Sequence, residues 1–105
     1  MAELGSLAEV RRRIDEVDEQ LTELLARRQE LVRAAAGFKK DEDAVRAPDR
    51  VETVVQAART RASAAGLSPE VAEAVWRAMI QAFIEYELDR LRADSSEDPA
   101  CHGVE

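Results

Sequence analysis

The stretch LAEVRRRIDEVDEQLTELLARRQELVRAAAGFK, residues 7–39, decides the fold. Its apolar side chains recur at alternating steps of three and four residues, at Leu7, Val10, Ile14, Val17, Leu21, Leu24, Leu31 and Ala35. This spacing predicts a long helix packed along its length against other helices. One position of this heptad seam holds Arg28, whose guanidinium keeps its charge and is costly to bury alone. Arg28 either pairs with an internal carboxylate or reaches out of the seam, or it meets an anionic ligand between helices.

Length and composition predict one all-α domain. The chain has 105 residues, of which 35% are charged, 46% hydrophobic and only 4% aromatic. No apolar run approaches the ~20 residues that span a bilayer, and the N-terminus lacks a signal-peptide core, so we expect a cytoplasmic protein with no membrane partner. The net charge of −7 argues against nucleic acid as the main partner.

The single cysteine, Cys101, excludes an intrachain disulfide. Together with His102 it is too small a cluster for a metal site, which normally needs three or four ligands. The sequence contains no glycine-rich phosphate loop and no Ser/His/Asp spacing that is typical of nucleophilic catalysis. We therefore predict neither a metal nor a cofactor.

The sequence predicts three helices. The first follows Ser6 as its N-cap and runs from Leu7 to about residue 37 or 38. The second spans about 48–65 after a polar connector at 40–47, with Gly66 just beyond its end. The third begins at Ser68-Pro69, with Ser68 as its N-cap, and ends near Arg92. Residues 1–92 would form the helical domain, and the polar tail 93–105 would be disordered. A first helix of ~45 Å overhangs a domain of this size, so dimerisation along it is the simplest way to cover its seam.

Glu87 is a second misfit in the apolar pattern. It follows Trp76, Ile80 and Phe83 at helical spacing and so lies where an apolar side chain is expected. One interpretation is a buried ion pair, with Arg28 as a possible partner. The other is a carboxyl group that faces the same pocket as Arg28.

The spacing of the cations favours a site shared between two chains. Arg11 and Arg28 lie ~26 Å apart along one helix, so a small metabolite contacts both only if one comes from a partner in an antiparallel dimer. Arg28 and Lys39 are about three turns apart and share a face if the helix continues that far, and Arg50 opens the second helix. Such a cluster favours a small dicarboxylate, because arginine binds carboxylates in a bidentate fork.

The segments VRRRIDEVDEQL (10–21) and LLARRQELV (24–32), followed by Lys39, resemble the first helix of the all-helical AroQ class of chorismate mutases. The likeness covers about residues 7–91. It implies an intertwined homodimer with two shared active sites. In each site, Arg11 of the other subunit and Arg28 would hold substrate carboxylates, and Lys39 would reach the ether oxygen.

The same resemblance assigns the remaining candidate residues. Arg50 would complete the cationic wall, with Val51 and Phe83 on the substrate-binding side. Glu87 falls where many members of the class carry a glutamine that donates a hydrogen bond to the ether oxygen. To donate in the same way, Glu87 must carry a proton, which apolar neighbours favour and Lys39 opposes.

The middle segment GFKKDEDAVRAPDRV, residues 37–51, is similar to the isochorismate pyruvate lyases of salicylate formation, which share the mutase fold. Ordinary mutases carry acidic residues near the start of the second helix that bind the ring hydroxyl. Here the matching positions are Ala47 and Val51, with Glu52 displaced by one, which favours the lyase branch. Those lyases carry glutamine at the Glu87 position, whereas some mutases carry glutamate.

The sequence therefore ranks chorismate mutase first and isochorismate pyruvate lyase second. A mutase acting on 4-amino-4-deoxychorismate is a third possibility, because composition does not distinguish the ring substituents. The contrasting class is a non-catalytic helical dimer or regulatory module, in which Arg28 and Glu87 merely pair with each other.

Overall fold

The computed structural model describes residues 5–96, and every regular element within that range is an α-helix. The helices are α1 (Leu7–Ala36), α2 (Glu42–Arg46), α3 (Pro48–Ala65) and α4 (Pro69–Ser96). The all-α class and the three main helices are confirmed. Two details differ from the prediction: the connector contains the five-residue helix α2, and α4 continues to Ser96 rather than ending near Arg92. Cys101, His102 and the rest of the tail from residue 97 lie outside the described residues.

The predicted helix ends are formed by the expected residues. Ser6 Oγ accepts the Glu9 amide at 3.1 Å, and Ser68 Oγ accepts the Val71 amide at 3.3 Å, so both serines cap helix starts. Gly66 ends α3 with φ of 82°, a conformation that costs glycine little.

The first helix ends at Ala36, before Lys39. Lys39 lies on the turn that follows, where its amide donates to the Ala36 carbonyl at 3.0 Å. Helical spacing therefore does not extend to Lys39, and the condition under which Arg28 and Lys39 would share one helix face is not met.

The described chain forms two compact units, divided between Arg33 and Ala34. The first unit is most of α1, and no residue of α1 is buried. The large apolar seam residues other than the half-buried Val10 are exposed, from Leu21 at 50% to Leu31 at 71%. An apolar stripe of this length in water needs a covering surface.

The second unit is built on the packing of α3 and α2 against α4. Helix α3 buries Val55, Ala58 and Ala62 on one face, and α4 buries Ala72. Small residues at these positions let helix backbones approach closely. Farther along α4, Val45 of α2 joins Ile84 and Leu88 in a buried cluster, against which Val51, Ile80 and Leu91 pack. Within the described residues, no helix is both long enough and apolar enough to cross a lipid bilayer.

A network of ion pairs crosses from α3 to α4. Arg77 of α4 donates to both carboxylate oxygens of Glu52 at 2.8 and 3.0 Å and to Glu73 at 2.7 Å. Arg59 of α3 donates to Glu73 at 2.8 Å. The Arg77 guanidinium lowers the pKa of Glu52 and of Glu73 from the ordinary glutamate value.

This network predicts an acid-sensitive contribution to stability. Because the two carboxyls titrate lower in the folded chain than in the unfolded one, their contribution is present above the ordinary glutamate range and is lost as pH falls through the folded pKa values. We expect Arg77→Gln to lower Tm at pH 7, and the gap from wild type to close below about pH 4. Thermal melts followed by circular dichroism from pH 7 to 3 measure this, with the exposed Arg61→Gln as the matched charge change. A gap that stays constant down to pH 3 would contradict the assignment.

Candidate active site

Lys39 and Glu87, which are 48 residues apart in sequence, meet in the second unit. Lys39 Nζ lies 3.0 Å from Glu87 Oε2 and 3.4 Å from Oε1. The Glu87 side chain is 6% exposed and that of Lys39 is 27% exposed. The second misfit of the sequence is therefore a nearly buried carboxyl group, and Lys39 is its ion-pair partner.

The surroundings of Glu87 explain why the pair forms. Ile84 and Leu88, which flank Glu87 on α4, are buried together with Val45. A carboxylate among such side chains has lost most of its hydration, and a close cation compensates for that loss. The result is an ammonium group in contact with a nearly buried carboxyl group, at the edge of an apolar cluster. This arrangement can stabilise negative charge that develops on a bound oxygen atom.

Val51 lies on the apolar side of this region. It packs against the Val45–Ile84–Leu88 cluster and lines an open cleft of about 340 Å³. The other lining residues of that cleft are Arg46, Pro48, Glu52, Arg77, Ile80, Gln81 and Ile84. Glu52 follows Val51 in sequence, but both of its carboxylate oxygens accept hydrogen bonds from Arg77 and so serve the packing of α3 on α4.

A second cleft of about 230 Å³ adjoins the first through Arg46 and Gln81, which line both. It is also lined by Glu85, Leu88, Asp89 and Arg92. Neither Lys39 nor Glu87 is among the lining residues of these two clefts. The ion pair and the described clefts are thus neighbours along α4 rather than one cavity.

The other predicted residues have varied environments. Arg50 is exposed in the first turn of α3, and Phe83 is half-buried with its ring 6.4 Å from that of Tyr86 in an edge-on contact. On α1, Arg11 is exposed and Arg28 is half-buried. Of the predicted site residues in the second unit, the structure brings Lys39 and Glu87 into direct contact.

Sequence reasoning missed Val45. This side chain is 5% exposed, and through it α2 packs into the buried cluster with Ile84 and Leu88. The available signal was a lone large apolar residue in the charged segment KDEDAVR (40–46), at a position interpreted as a polar connector. Within residues 5–96, no group of three or more His, Cys, Asp or Glu is placed to hold a metal ion.

Comparison with known proteins gives two matches over most of the chain. The family described as "Chorismate mutase type II" matches residues 10–88. An isochorismate pyruvate lyase from Pseudomonas aeruginosa is 32% identical over 82 residues, covering 78% of this chain and 81% of that protein. The family match includes α1 from Val10 onward, all of α2 and α3, and α4 as far as Leu88. The chain belongs to the type II chorismate mutase family, the all-helical AroQ class that its first helix resembles.

Proposed function

We propose that the protein catalyses the pericyclic rearrangement of chorismate to prephenate. The family and the lyase relative support an enzyme acting on a chorismate-type enolpyruvyl ether. The observation that carries the proposal is the contact between Lys39 and the nearly buried Glu87. A pericyclic reaction needs no nucleophile or metal. It needs a folded substrate and a site that stabilises the charge growing on the ether oxygen.

Each member of the pair has a distinct role in this proposal. The Lys39 ammonium turns from Glu87 to the ether oxygen and one carboxylate of the bound substrate. Glu87, in its protonated form, donates a hydrogen bond to the same oxygen. Arg28, Arg50 and Arg11 of a second subunit hold the two carboxylates, and this grip keeps the enolpyruvyl arm over the ring.

Two observations favour a second candidate, isochorismate pyruvate lyase. One is that the Pseudomonas aeruginosa relative is an isochorismate pyruvate lyase. The other concerns the cleft lined by Val51 and Glu52. Val51 is apolar, and both oxygens of Glu52 accept hydrogen bonds from Arg77, so Glu52 is not available to bind a ring hydroxyl. In the lyase reaction a ring hydrogen moves to the enolpyruvyl arm as the ether C–O bond breaks, which releases pyruvate and leaves salicylate. The same grip on the substrate serves both reactions.

The deciding experiment compares three substrates with the purified 105-residue chain. We expect prephenate from chorismate, with a higher kcat/KM than for salicylate release from isochorismate or for rearrangement of 4-amino-4-deoxychorismate. A much higher kcat/KM on isochorismate would make the lyase the principal activity. No turnover of any of the three would favour the non-catalytic helical module.

We further propose that a second copy of the chain covers the exposed seam of α1. Except at Arg28 the seam is apolar from Leu7 to Ala35, and none of its residues is buried within one chain. Its heptad spacing is that of a helix packed against another helix. A two-fold dimer along α1 buries the same stripe on both copies and brings Arg11 of one towards Arg28 of the other.

Shared sites predict that two inactive variants restore each other. Arg11→Ala and Arg28→Ala each remove one cation from both sites of a homodimer, so we expect each variant to lose turnover while its helical circular dichroism is retained. After subunit exchange, each mixed dimer contains one intact site, and an equal mixture should regain about a quarter of wild-type activity. Turnover of mixed and separate samples measures this, with sedimentation as the check on dimer formation. A mixture no more active than its components would rule out sites built from both chains.

A further inference from the structure

We propose that Val45 is a positioning residue, which holds Lys39 against Glu87 by anchoring the segment between α1 and α3 on α4. The inference rests on the proposed function for its kinetic consequence. The position of Lys39 beside Glu87 does not depend on which reaction is catalysed, and it is measured separately through the reactivity of the Lys39 amine.

The anchor is the burial of one side chain from an otherwise polar segment. Val45 is 5% exposed and packs in one cluster with Ile84 and Leu88. These two residues are the α4 neighbours of Glu87, one turn before it and one residue after it. The cluster that fixes α2 on α4 therefore lies beside the carboxyl that Lys39 contacts.

A short, hydrogen-bonded path connects the anchor to Lys39. Asp41 caps α2, since its side chain accepts the Ala44 amide at 2.9 Å and its carbonyl accepts the Val45 amide at 3.2 Å. Lys39 is two residues before this cap. On its other side, the Lys39 amide donates to Ala36 at the end of α1. The backbone of Lys39 is thus held from both directions, and the Val45 side is the one fixed to α4.

The other contacts of α2 are weaker candidates for this role. Glu42 lies 3.8 Å from Arg92 and 3.6 Å from Arg46, and these side chains are at least half exposed. Exposed ion pairs contribute little because water competes with them and the side chains lose freedom. A lysine side chain also loses much rotamer freedom when it is held at one carboxylate. Holding Lys39 on Glu87 consequently depends on the apolar anchor.

The first test uses the only two lysines of the chain, Lys39 and Lys40. Lys40 is exposed and serves as an internal reference for the reactivity of an amine at this place in the sequence. Brief acetylation with acetyl N-hydroxysuccinimide, read by tandem mass spectrometry, gives the ratio of Lys39 to Lys40 modification. In wild type we expect Lys39 to react several-fold more slowly. Val45→Ala should bring the ratio towards one, and the larger apolar Val45→Ile should retain the wild-type ratio.

The matched control is Val55→Ala, which removes the same atoms from a fully buried site on α3. It should lower Tm without changing the lysine ratio, because Val55 does not belong to the α2 anchor. Val45→Thr, which keeps the shape and replaces one methyl group by a hydroxyl, provides a second probe if Val45→Ala folds poorly. An unchanged Lys39 to Lys40 ratio in folded Val45→Ala or Val45→Thr overturns the proposal.

The second test is kinetic. Val45→Ala should reduce kcat about ten- to hundredfold with a smaller change in KM, since misplacement of a catalytic group by about 1 Å has effects of this size. Val45→Ile should recover most of kcat, and Val55→Ala should keep it below its melting temperature. If Val55→Ala lost as much kcat as Val45→Ala, the effect of Val45 on kcat would be explained by general destabilisation rather than by positioning of Lys39. If wild type turns over none of the three substrates, the proposed function fails, while the lysine ratio still decides the positioning.

Discussion

Replacing Lys39 by alanine is expected to reduce kcat/KM by about a thousandfold or more. Removal of a single preorganised donor to a developing oxyanion costs about 10²–10³ in kcat, and Lys39 also attracts a substrate carboxylate in the proposed site. The expectation follows from the position of Nζ at 3.0 Å from Glu87 in a largely covered site. Initial rates with chorismate and with isochorismate measure the loss for both candidate reactions.

Lys40→Ala supplies the matched control for this substitution. It removes the same side chain one residue later from an exposed position, so its effect on kcat/KM should be within about twofold. Lys39→Ala also leaves Glu87 buried without its ion-pair partner, and we expect a lower Tm from that cause. Assays therefore run at a temperature where circular dichroism shows both variants fully helical. Equal losses of kcat/KM in Lys39→Ala and Lys40→Ala would show that the effect comes from the change in net charge rather than from the Lys39–Glu87 ion pair.

The periodic features of the fold were accessible from the sequence. Helix spacing and capping residues predicted α1, α3 and α4, because Ser6, Gly66 and Ser68 act through local hydrogen bonds and backbone angles. Helix α2 was missed since its five residues are too few to show a period. It is stabilised by the Asp41 cap and by burial of Val45 against α4, and the latter is a tertiary contact.

Part of the candidate site was accessible for a similar reason. Glu87 was recognisable as a charge at an apolar position, and such a misfit requires either a partner or a ligand. That the partner is Lys39 did not follow from helical spacing, because α1 ends at Ala36 and the turn beyond it sets where Lys39 points. The ion pair between Glu52 and Arg77 could not be predicted from the sequence either, because it joins exposed side chains of two different helices. Arg11 and Arg50 remain assignments made by resemblance.

Glu87→Gln is expected to abolish a steep pH dependence of turnover. In the proposed site only the protonated carboxyl donates to the ether oxygen, whereas the ionised form repels a substrate that carries two negative charges. Turnover of the wild type should therefore fall as pH rises. Glutamine donates through its amide at every pH, so the variant should give a flat profile and should exceed wild type at the alkaline end.

The ion pair sharpens this expectation. In the described structure both Glu87 oxygens lie within 3.4 Å of Lys39 Nζ, an arrangement that suits an ionised carboxylate. A dianionic substrate draws the ammonium towards itself, which leaves the Glu87 carboxyl in apolar surroundings without that cation. Profiles of kcat and kcat/KM from pH 5 to 8.5 test the sequence of events, with Glu70→Gln at the exposed start of α4 as the control for the same chemical change. A pH-independent wild type, or a Glu87→Gln profile that still falls with pH, would leave Glu87 as a structural partner of Lys39 and assign charge stabilisation at the ether oxygen to Lys39 and the arginines.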